Sequence, residues 1–425
     1  MTRSHPRKKF YLVAGEPSGD TLGALLIEAL RRQEPEAVFR GAGGPKMAAA
    51  GQRQTVDLTK HAVVGLVEVL RHYPELRKLF HRLVREVEAA RPDAVVLIDY
   101  PGFNLRLARV LRRRLPWIRI VFYVSPQVWA WKSGRAELLS ESVDELLVLF
   151  PFEKEWYAQR GSSLSVSWVG HPLWDRLLSN EMPTLPPDRQ TIALLPGSRE
   201  SEIQRHLPLL LGAAAQMQKQ REDLDFLWIV PDLRREAFAR AQLALYGLEC
   251  SLRLRVGYPL SHLSRCRLAL LCSGSASLEC AAVGTPQILV YKANPITYTV
   301  AKRVVRVRFL SMVNLLADSE IIPELVQERL SPDEIAHAAL RLLANSVERA
   351  RMVEAMGAAL RPIAEPGASA RAASRILALA ARPRKTEETG ETKKSTVDGR
   401  VRQGAREVGE ESTAGSFASD AAAGP

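Results

Sequence analysis

TIALLPGSRESE, residues 191–202, is the stretch that decides the fold, because a tight turn in it joins an apolar strand to a helix. Residues 191–195 form an apolar run that is typical of a buried parallel strand. Gly197 lets the backbone approach a ligand, and Arg199 offers a planar fork of donors suited to phosphate oxygens. Because the first amides of the helix are free, the stretch predicts an anion site. The alternative is an ordinary strand–helix turn with a surface arginine, and the stretch alone leaves the two equally open.

Composition and charge indicate an ordinary globular chain. The 425 residues are 46% hydrophobic and 25% charged, which suits a soluble protein of two domains. The formal net charge of +12 suits acidic partners, namely nucleic acid, anionic lipid or phosphorylated small molecules. The alternative is a solvated basic surface, which is the simpler interpretation of any single basic cluster.

The cysteines and the N-terminus indicate a compartment. Four cysteines form no Cys-x-x-Cys pair and no zinc-like spacing with histidine, which favours the reducing cytosol. The first apolar run is too short for a signal peptide, and no run approaches the length that spans a bilayer. We therefore expect any membrane contact to be made from one side.

Strand-like and helix-like segments alternate on both sides of a proline-rich stretch at residues 183–187. This alternation predicts two Rossmann-like α/β domains that face a cleft. The predicted boundaries are an N-terminal domain at 1–180, a C-terminal domain with closing helices at 181–382, and a tail at 383–425. The tail has almost no apolar residues, so we expect it to be disordered. In the helix after the opening stretch, Pro208 predicts either a kink or a division.

Two turns in the first half follow predicted strands. Residues 15–20, GEPSGD, follow the strand at 9–14, and Asp20 is predicted to cap the next helix. Asp99 follows the strand at 94–98, and a carboxylate at the carboxyl end of a parallel strand points into the ligand crevice of an α/β domain. Asp99 is therefore a candidate general base, with an ordinary turn aspartate as the alternative.

A second turn with phosphate-binding character occupies residues 272–279, CSGSASLE. Small residues open a helix there, and Glu279 lies on its first turns, where a carboxylate accepts hydrogen bonds from ribose hydroxyls. Together with the turn at 196–199, this loop predicts a nucleotide in the second half. The sequence has neither a Walker motif nor a metal-binding pair of aspartates, which points away from ATP hydrolysis and metal-dependent transfer.

The segment 61–84 joins an apolar run to a stretch where histidine, lysine and arginine alternate with leucine and phenylalanine. One interpretation is an amphipathic patch for acyl chains or a membrane surface. The other is a packed helix pair with a basic solvent face, which the sequence favours because buried helices are far commoner.

Ten strings of this sequence resemble the lipid-A-disaccharide synthase family, in the order that the family has them, and cover about residues 8–380. They are GEPSGD (15–20), AGGPKM (42–47), VVGLVEVL (63–70), IDYPGFN (98–104), YVSPQVWAWK (123–132), LFPFEKEWY (149–157), VGHPL (169–173), LLPGSRESEI (194–203), CSGSASLEC (272–280) and the run from YTVAKRVV to SMVNLLA (298–317). Each string alone is modest evidence, whereas all of them in register are specific.

The resemblance implies a GT-B glycosyltransferase that needs no metal and no cofactor. Such an enzyme transfers 2,3-diacylglucosamine from its UDP conjugate to 2,3-diacylglucosamine 1-phosphate, with inversion. The products are the β-1,6 disaccharide 1-phosphate of lipid A biosynthesis and UDP. The resemblance further implies a cytoplasmic protein attached peripherally to the inner membrane, with no nucleic-acid partner and with a homodimer as one possible assembly.

The resemblance also assigns roles to residues. Asp99 matches the family's essential aspartate and would take the proton from the acceptor's 6-hydroxyl, while Arg199 would hold the diphosphate of UDP. The other implied substrate-binding residues are Gly15, Glu16, Ser18 and Asp20 on the acceptor side, and Ser198, Ser273, Gly274, Ser275, Glu279 and Asn314 on the donor side. Gly102 departs from the family pattern, which commonly has an aspartate there, and this puts any role of that second carboxylate in doubt.

Two other classes of function remain as alternatives at this point. One is another UDP-sugar enzyme of the same architecture, such as a 2-epimerase or a cell-wall GlcNAc transferase. The other is a lipid-binding scaffold without catalytic activity, which the replacement at Gly102 suggests.

Overall fold

The computed structural model describes residues 7–61, 66–130, 134–178, 190–230, 233–246, 250–257, 259–272, 274–293, 298, 307–327 and 330–382. The chain divides into two compact units, which are Met1–Val128 with Ser133–Val169 and the chain from Ser369, and Trp129–Lys132 with Gly170–Ala368. The division therefore follows Val169, whereas the sequence predicted it after residue 180, and the last helix belongs to the first unit. The predicted linker and the predicted disordered tail at 383–425 lie outside the described residues.

A parallel sheet of seven strands, in the order β3-β2-β1-β4-β5-β6-β7, forms the centre of the first unit. The strands are β1 (Lys9–Ala14), β2 (Val38–Gly43), β3 (Arg53–Asp57), β4 (Ala94–Ile98), β5 (Ile120–Tyr123), β6 (Glu145–Val148) and β7 (Ser165–Trp168). Every residue of β4, β5 and β6 is buried, as expected for parallel strands that helices cover on both faces.

Helices connect these strands. They are α1 (Pro17–Gln33), α2 (Pro45–Ala49), α3 (Leu66–Ala90), α4 (Pro101–Arg114), α5 (Arg135–Ser142), α6 (Pro151–Ala158) and, from the end of the chain, α15 (Ala368–Ala380). The segment predicted as a helix pair is the single helix α3, with Pro74 inside it. Leu83 and Val87 of α3 are fully buried in the core of this unit, so the second half of α3 has the packed face that the sequence favoured.

The second unit repeats the design with six parallel strands in the order β10-β9-β8-β11-β12-β13. Its strands are β8 (Thr191–Leu195), β9 (Asp225–Val230), β10 (Leu252–Val256), β11 (Leu268–Leu271), β12 (Gln287–Tyr291) and β13 (Glu324–Val326). Its helices are α7 (Leu173–Leu178), α8 (Glu200–Gln220), α9 (Leu233–Tyr246), α10 (Pro259–Leu263), α11 (Gly274–Ala282), α12 (Met312–Ala317), α13 (Pro332–Ala344) and α14 (Ser346–Leu360). Pro208 lies inside α8, which continues past it, so the helix is not divided. Two doubly wound parallel sheets confirm the predicted α/β class.

The first unit also corrects the sequence-based account. The prediction missed α2 and the edge strand β3, whose sequence RQTVD has no apolar run to reveal it. The helix after β1 begins at Pro17, with Glu16 as its N-cap. Asp20 therefore lies in the first turn of α1 and does not cap it, so that prediction was wrong.

Among the described helices, none combines the length with the apolar character that a bilayer crossing requires.

Candidate functional site

The turns after β1 and β4 lie next to each other, because these strands are neighbours and Ala14 is in register with Ile98. Gly15 lies directly against Tyr100, since a Cβ built on Gly15 would come within 2.1 Å of the tyrosine ring. A side chain at position 15 would therefore collide with the turn that carries Asp99. The sheet thus brings the GEPSGD turn and Asp99 together at the carboxyl ends of two adjacent strands.

Strained backbone marks this edge of the sheet. Asp99 and Tyr100 have φ values of 48° and 51°, and Val124, which follows β5, has a φ of 72°. The left-handed region costs a non-glycine residue about 1–3 kcal/mol, and such residues cluster at functional sites. The Asp99 amide donates to the Tyr123 carbonyl at 2.9 Å, which holds the strained turn against β5.

The side chain of Asn104 holds the same turn in place. It is fully buried, and its Nδ2 donates to the carbonyl oxygens of Asp99 at 2.7 Å and Ile98 at 3.2 Å. A buried amide that bonds two successive carbonyls fixes where the Asp99 side chain starts. The sequence reasoning did not single out Asn104, although the asparagine one turn into a helix that follows a strand was a usable signal.

The other predicted acceptor-side residues differ in exposure. Ser18 is exposed and Glu16 is partly exposed, whereas Asp20 is 2% exposed. The Asp20 carboxylate accepts the backbone N–H groups of Gly44, Lys46 and Met47 at 2.8–3.0 Å. Asp20 therefore caps α2, and its contact with the acceptor stays a prediction.

In the second unit, the turn between β8 and α8 already holds an anion, which is the carboxylate of Glu202. Its Oε2 accepts the backbone N–H groups of Ser198 at 3.0 Å and Arg199 at 3.2 Å. Its Oε1 lies 3.0 Å from Nη1 of Arg199, and the Glu202 side chain is 14% exposed. The amides and the guanidinium that the sequence assigned to phosphate thus meet in one place and bind carboxylate oxygens.

Gly197 makes this geometry possible. Its φ of 122° is open to glycine but strained for any L side chain. A Cβ there would also lie 2.6 Å from Cβ of Glu202. The sequence predicted that a ligand approaches the backbone at Gly197. In this structure the group that comes close is the chain's own Glu202.

His206 lies one helical turn after Glu202 in α8, and the sequence analysis did not identify it. It is fully buried, its Nδ1 lies 2.9 Å from the Glu202 carbonyl, and its Nε2 accepts the Lys292 amide at 3.0 Å. Because Lys292 N–H is a donor, Nδ1 carries the proton and the ring is neutral. Burial lowers the pKa of His206, in agreement with that state. Burial likewise raises the pKa of Tyr291, whose ring centre is 5.6 Å from that of His206.

The loop after β11 lies beside this turn, because Leu271 is in register with Leu195. Gly274 begins α11, Ser273 lies outside the described residues, and nothing is described of the Ser275 side chain. Glu279, the predicted ribose ligand, accepts a hydrogen bond of 2.7 Å from Nη1 of Arg176. The carboxylate is therefore held by a cation that the sequence analysis did not connect with it.

Asn314 is fully buried and uses its side chain within its own unit. Its Nδ2 donates to the Ile322 carbonyl and to Glu324 at 2.9 Å, and its Oδ1 accepts the amides of Ile321 and Ile322. These bonds join α12 to the segment that leads into β13, and the contact of Asn314 with the donor stays a prediction.

Over the described part of the chain, no group of three or more histidine, cysteine, aspartate or glutamate side chains is arranged to hold a metal ion.

Comparison with known proteins bears on the same architecture. A family model described as lipid-A-disaccharide synthetase matches residues 10–373. The chain belongs to this family. Lipid-A-disaccharide synthases from Chromohalobacter salexigens and Geobacter metallireducens are 39% and 34% identical to it, and each match covers 89% of this chain and 99% of the relative. Membership of the lipid-A-disaccharide synthase family makes the protein a glycosyltransferase of lipid A biosynthesis.

Solved structures support the fold of this lipid-A-disaccharide synthase family member. The chain is similar to the MnaA–UDP structure from S. aureus, with a TM-score of 0.59, 14% identity and coverage of 88% of this chain and 95% of that one. It is also similar to the calicheamicin glycosyltransferase CalG4, with a TM-score of 0.53, 19% identity and coverage of 88% and 98%. These similarities show a GT-B fold, as the resemblance implied.

Proposed function

We propose that the protein condenses UDP-2,3-diacylglucosamine with 2,3-diacylglucosamine 1-phosphate, with inversion, to give the β-1,6 disaccharide 1-phosphate and UDP. Family membership supports the class of reaction. The observation that carries the donor side is the capture of the Glu202 carboxylate by the amides of Ser198 and Arg199 and by the Arg199 guanidinium. Donors that hold a carboxylate suit the oxygens of a diphosphate.

On the acceptor side, Asp99 is the proposed base. Its carboxylate would take the proton of the acceptor's 6-hydroxyl while that oxygen forms a bond to the anomeric carbon of the donor. The bond from the anomeric carbon to the diphosphate oxygen would break at the same time, and UDP would leave with the electron pair. Inverting transfer requires one base on the face opposite the leaving group, so a single well-held carboxylate suffices. The pinned, strained backbone of Asp99 supports this role.

On the donor side, charge develops on the departing diphosphate. Arg199 and the first amides of α8 would stabilise it, because fixed donors need no reorganisation when the bond breaks. The diphosphate would take the position that Glu202 now occupies. Gly274 and the amides that open α11 would contact the same phosphates together with Ser273 and Ser275, and Glu279 would accept the ribose hydroxyls in exchange for part of its contact with Arg176.

Attachment to the inner membrane from the cytoplasmic side is part of the proposal. The net charge of +12 supports it, since each well-placed lysine or arginine adds about 1 kcal/mol of attraction to an anionic leaflet. Flotation with vesicles that contain or lack anionic lipid would test this attachment. Homodimer formation stays a prediction, and analytical ultracentrifugation would test it by measuring the mass of the protein in solution.

The deciding experiment is disaccharide formation from the two diacyl substrates, followed by mass spectrometry and by NMR of the new anomeric centre. We expect a β-linked product and UDP, with unchanged rates in EDTA. UDP-GlcNAc serves as the matched control, since a 2-epimerase or a cell-wall transferase would act on the sugar nucleotide without acyl chains. Turnover of UDP-GlcNAc with none of its diacyl form would overturn the proposal, and turnover of neither would favour a binding scaffold.

A further inference from the structure

We propose that the first unit carries a second anion site, distinct from the proposed catalytic turns, which takes a phosphate group between Arg40 and Arg53. The site is a cavity of about 400 Å³ on the α3 side of the sheet. Three arginines, one glutamate and three neutral polar residues line it: Arg40, Arg53, Arg82, Glu86, Tyr11, Gln54 and Thr55. That volume lies in the range of small-molecule sites.

Strand register places the two arginines together. Tyr11 of β1 is in register with Arg40 of β2, and Arg40 is in register with Arg53 of β3. Register partners in neighbouring parallel strands lie about 5 Å apart and point to the same face of the sheet. Tyr11 faces α3, because its hydroxyl donates to Glu86 at 2.9 Å. Arg40 and Arg53 therefore extend on this face as two adjacent cations.

Glu86 bonds to other residues, and in the described part of the chain it forms no ion pair with Arg40 or Arg53. Its Oε2 accepts the hydroxyls of Tyr11 and Thr55, and its Oε1 accepts Nε of Arg82 at 3.2 Å. Within the described residues, the guanidinium groups of Arg40 and Arg53 make no hydrogen bond and no ion pair, and both residues are exposed. Like charges on directly opposite residues destabilise a strand pair, so the sheet holds a repulsion that a bound anion would relieve.

The chemistry of the cavity favours phosphate. Two guanidinium groups each present a planar fork, and the several oxygens of one phosphate group can accept from both forks at once. Gln54 and Thr55 add neutral polar groups for the rest of a phosphorylated molecule. The shared ligand chemistry is a phosphate ester, supplied either by a soluble metabolite or by a lipid head group.

The position separates this cavity from the catalytic turns. Arg53 is the first residue of β3, and Ala89 and Ala90 end α3. The cavity thus lies over the amino-terminal halves of the strands, whereas Asp99 follows the carboxyl end of β4. Substrates of α/β domains bind at the carboxyl ends of the strands. A ligand in this cavity would therefore lie away from the proposed transferase site.

The test compares the full chain with the Arg40→Gln/Arg53→Gln variant. Inorganic pyrophosphate is titrated calorimetrically in the presence of saturating UDP, and vesicles of phosphatidylglycerol are compared with vesicles of phosphatidylcholine by flotation. Arg109→Gln, at an exposed arginine on α4 of the same unit, is the matched control. Arg53→Gln alone is a second variant, whose melting temperature should equal or exceed that of the wild type because it removes repulsion and no partner.

We expect the double variant to bind at least about tenfold more weakly, as the loss of charge-assisted hydrogen bonds predicts, with the control unchanged. Loss in the pyrophosphate titration identifies a soluble phosphate ligand, and loss confined to phosphatidylglycerol vesicles identifies a head group. Equal binding by wild type and double variant in both arms would overturn the site and leave the arginines as protection of a sheet edge. The comparison isolates this cavity whether or not UDP binds at Arg199.

Discussion

The turn after β4 and the turn after β8 have the same plan and opposite chemistry. Each follows a buried strand in the middle of a parallel sheet and leads into a helix. The turn after β4 holds Asp99 and Tyr100 in left-handed conformations without the help of glycine, whereas the turn after β8 gives that task to Gly197. The first turn presents a carboxylate. The second presents amides and a guanidinium, which bind a carboxylate.

The difference teaches that residue identity within one strand–turn–helix plan decides whether the turn carries a carboxylate or binds one. At the first turn, backbone strain is maintained by Asn104 and by Tyr123, so the aspartate is fixed in position. At the second turn, Glu202 acts as an internal ligand of the site proposed for the diphosphate. The proposed function assigns the base to the first turn and the anion binder to the second, which together would support transfer without a metal.

The largest expected effect comes from Asp99→Asn. Asparagine tolerates the left-handed conformation, so the fold should survive. If Asp99 is the base, turnover should fall by about 10²-fold or more, because that is the usual contribution of general-base catalysis. Disaccharide formation at saturating substrates checks this, with the unfolding midpoint as the control. Unchanged turnover would remove the assigned role.

Arg199→Ala should affect the other turn. Loss of a charge-assisted hydrogen bond of about 1.5–3 kcal/mol should weaken UDP binding by roughly 10- to 100-fold in calorimetry. Arg240→Ala is the matched control, because Arg240 is an exposed arginine of α9 that pairs only with Glu236 within the described residues. Equal UDP affinity in wild type and Arg199→Ala would move the diphosphate site elsewhere.

A pair of glycine substitutions compares the two turns directly. Gly197→Ala places a Cβ against Glu202 at positive φ and should cost about 1–3 kcal/mol of folding stability. Gly102→Ala, in the first turn of α4, meets nothing within 4 Å and should be neutral or stabilise by up to about 1 kcal/mol. Urea denaturation of both variants checks this. Similar losses would mean that the β4 turn is as tightly packed as the β8 turn.

The smallest effect is expected from Glu202→Gln. Glutamine keeps an acceptor for the Ser198 and Arg199 amides but removes the charge that competes with a diphosphate. UDP affinity should therefore rise several-fold, in line with about 1 kcal/mol for a charge at a helix amino end. Weaker UDP binding in this variant would show instead that Glu202 serves to hold Arg199 in place.

Several features that depend only on neighbouring residues in the sequence were predicted correctly. The strands Thr191–Leu195 and Ala94–Ile98 were predicted with their observed bounds, because each is an apolar run that a turn residue ends. The order of strands and helices gave the α/β class, and ten matching strings gave the family, which the family model confirms. The prediction missed β3, because the sequence of this edge strand contains no apolar run.

Contacts between distant residues were beyond such reasoning. Asp20 looked like the cap of its own helix but caps α2, more than twenty residues further on. Asn314 was predicted to lie near the donor, but its hydrogen bonds to Ile322 and Glu324 could not be predicted from the sequence. Arg176 and Glu279 are 103 positions apart, so no window of sequence joins them. The Glu202 contact was local and could have been found, because glutamate three residues after a helix N-cap commonly bonds back to it.

The division of labour between the two turns is the central claim, and the UDP affinity of Asp99→Asn tests it most directly. The account predicts that calorimetry finds a Kd within about twofold of the wild-type value, although turnover has fallen by about 10²-fold. A loss of UDP affinity in parallel with turnover would contradict the account, because Asp99 would then contribute to donor binding.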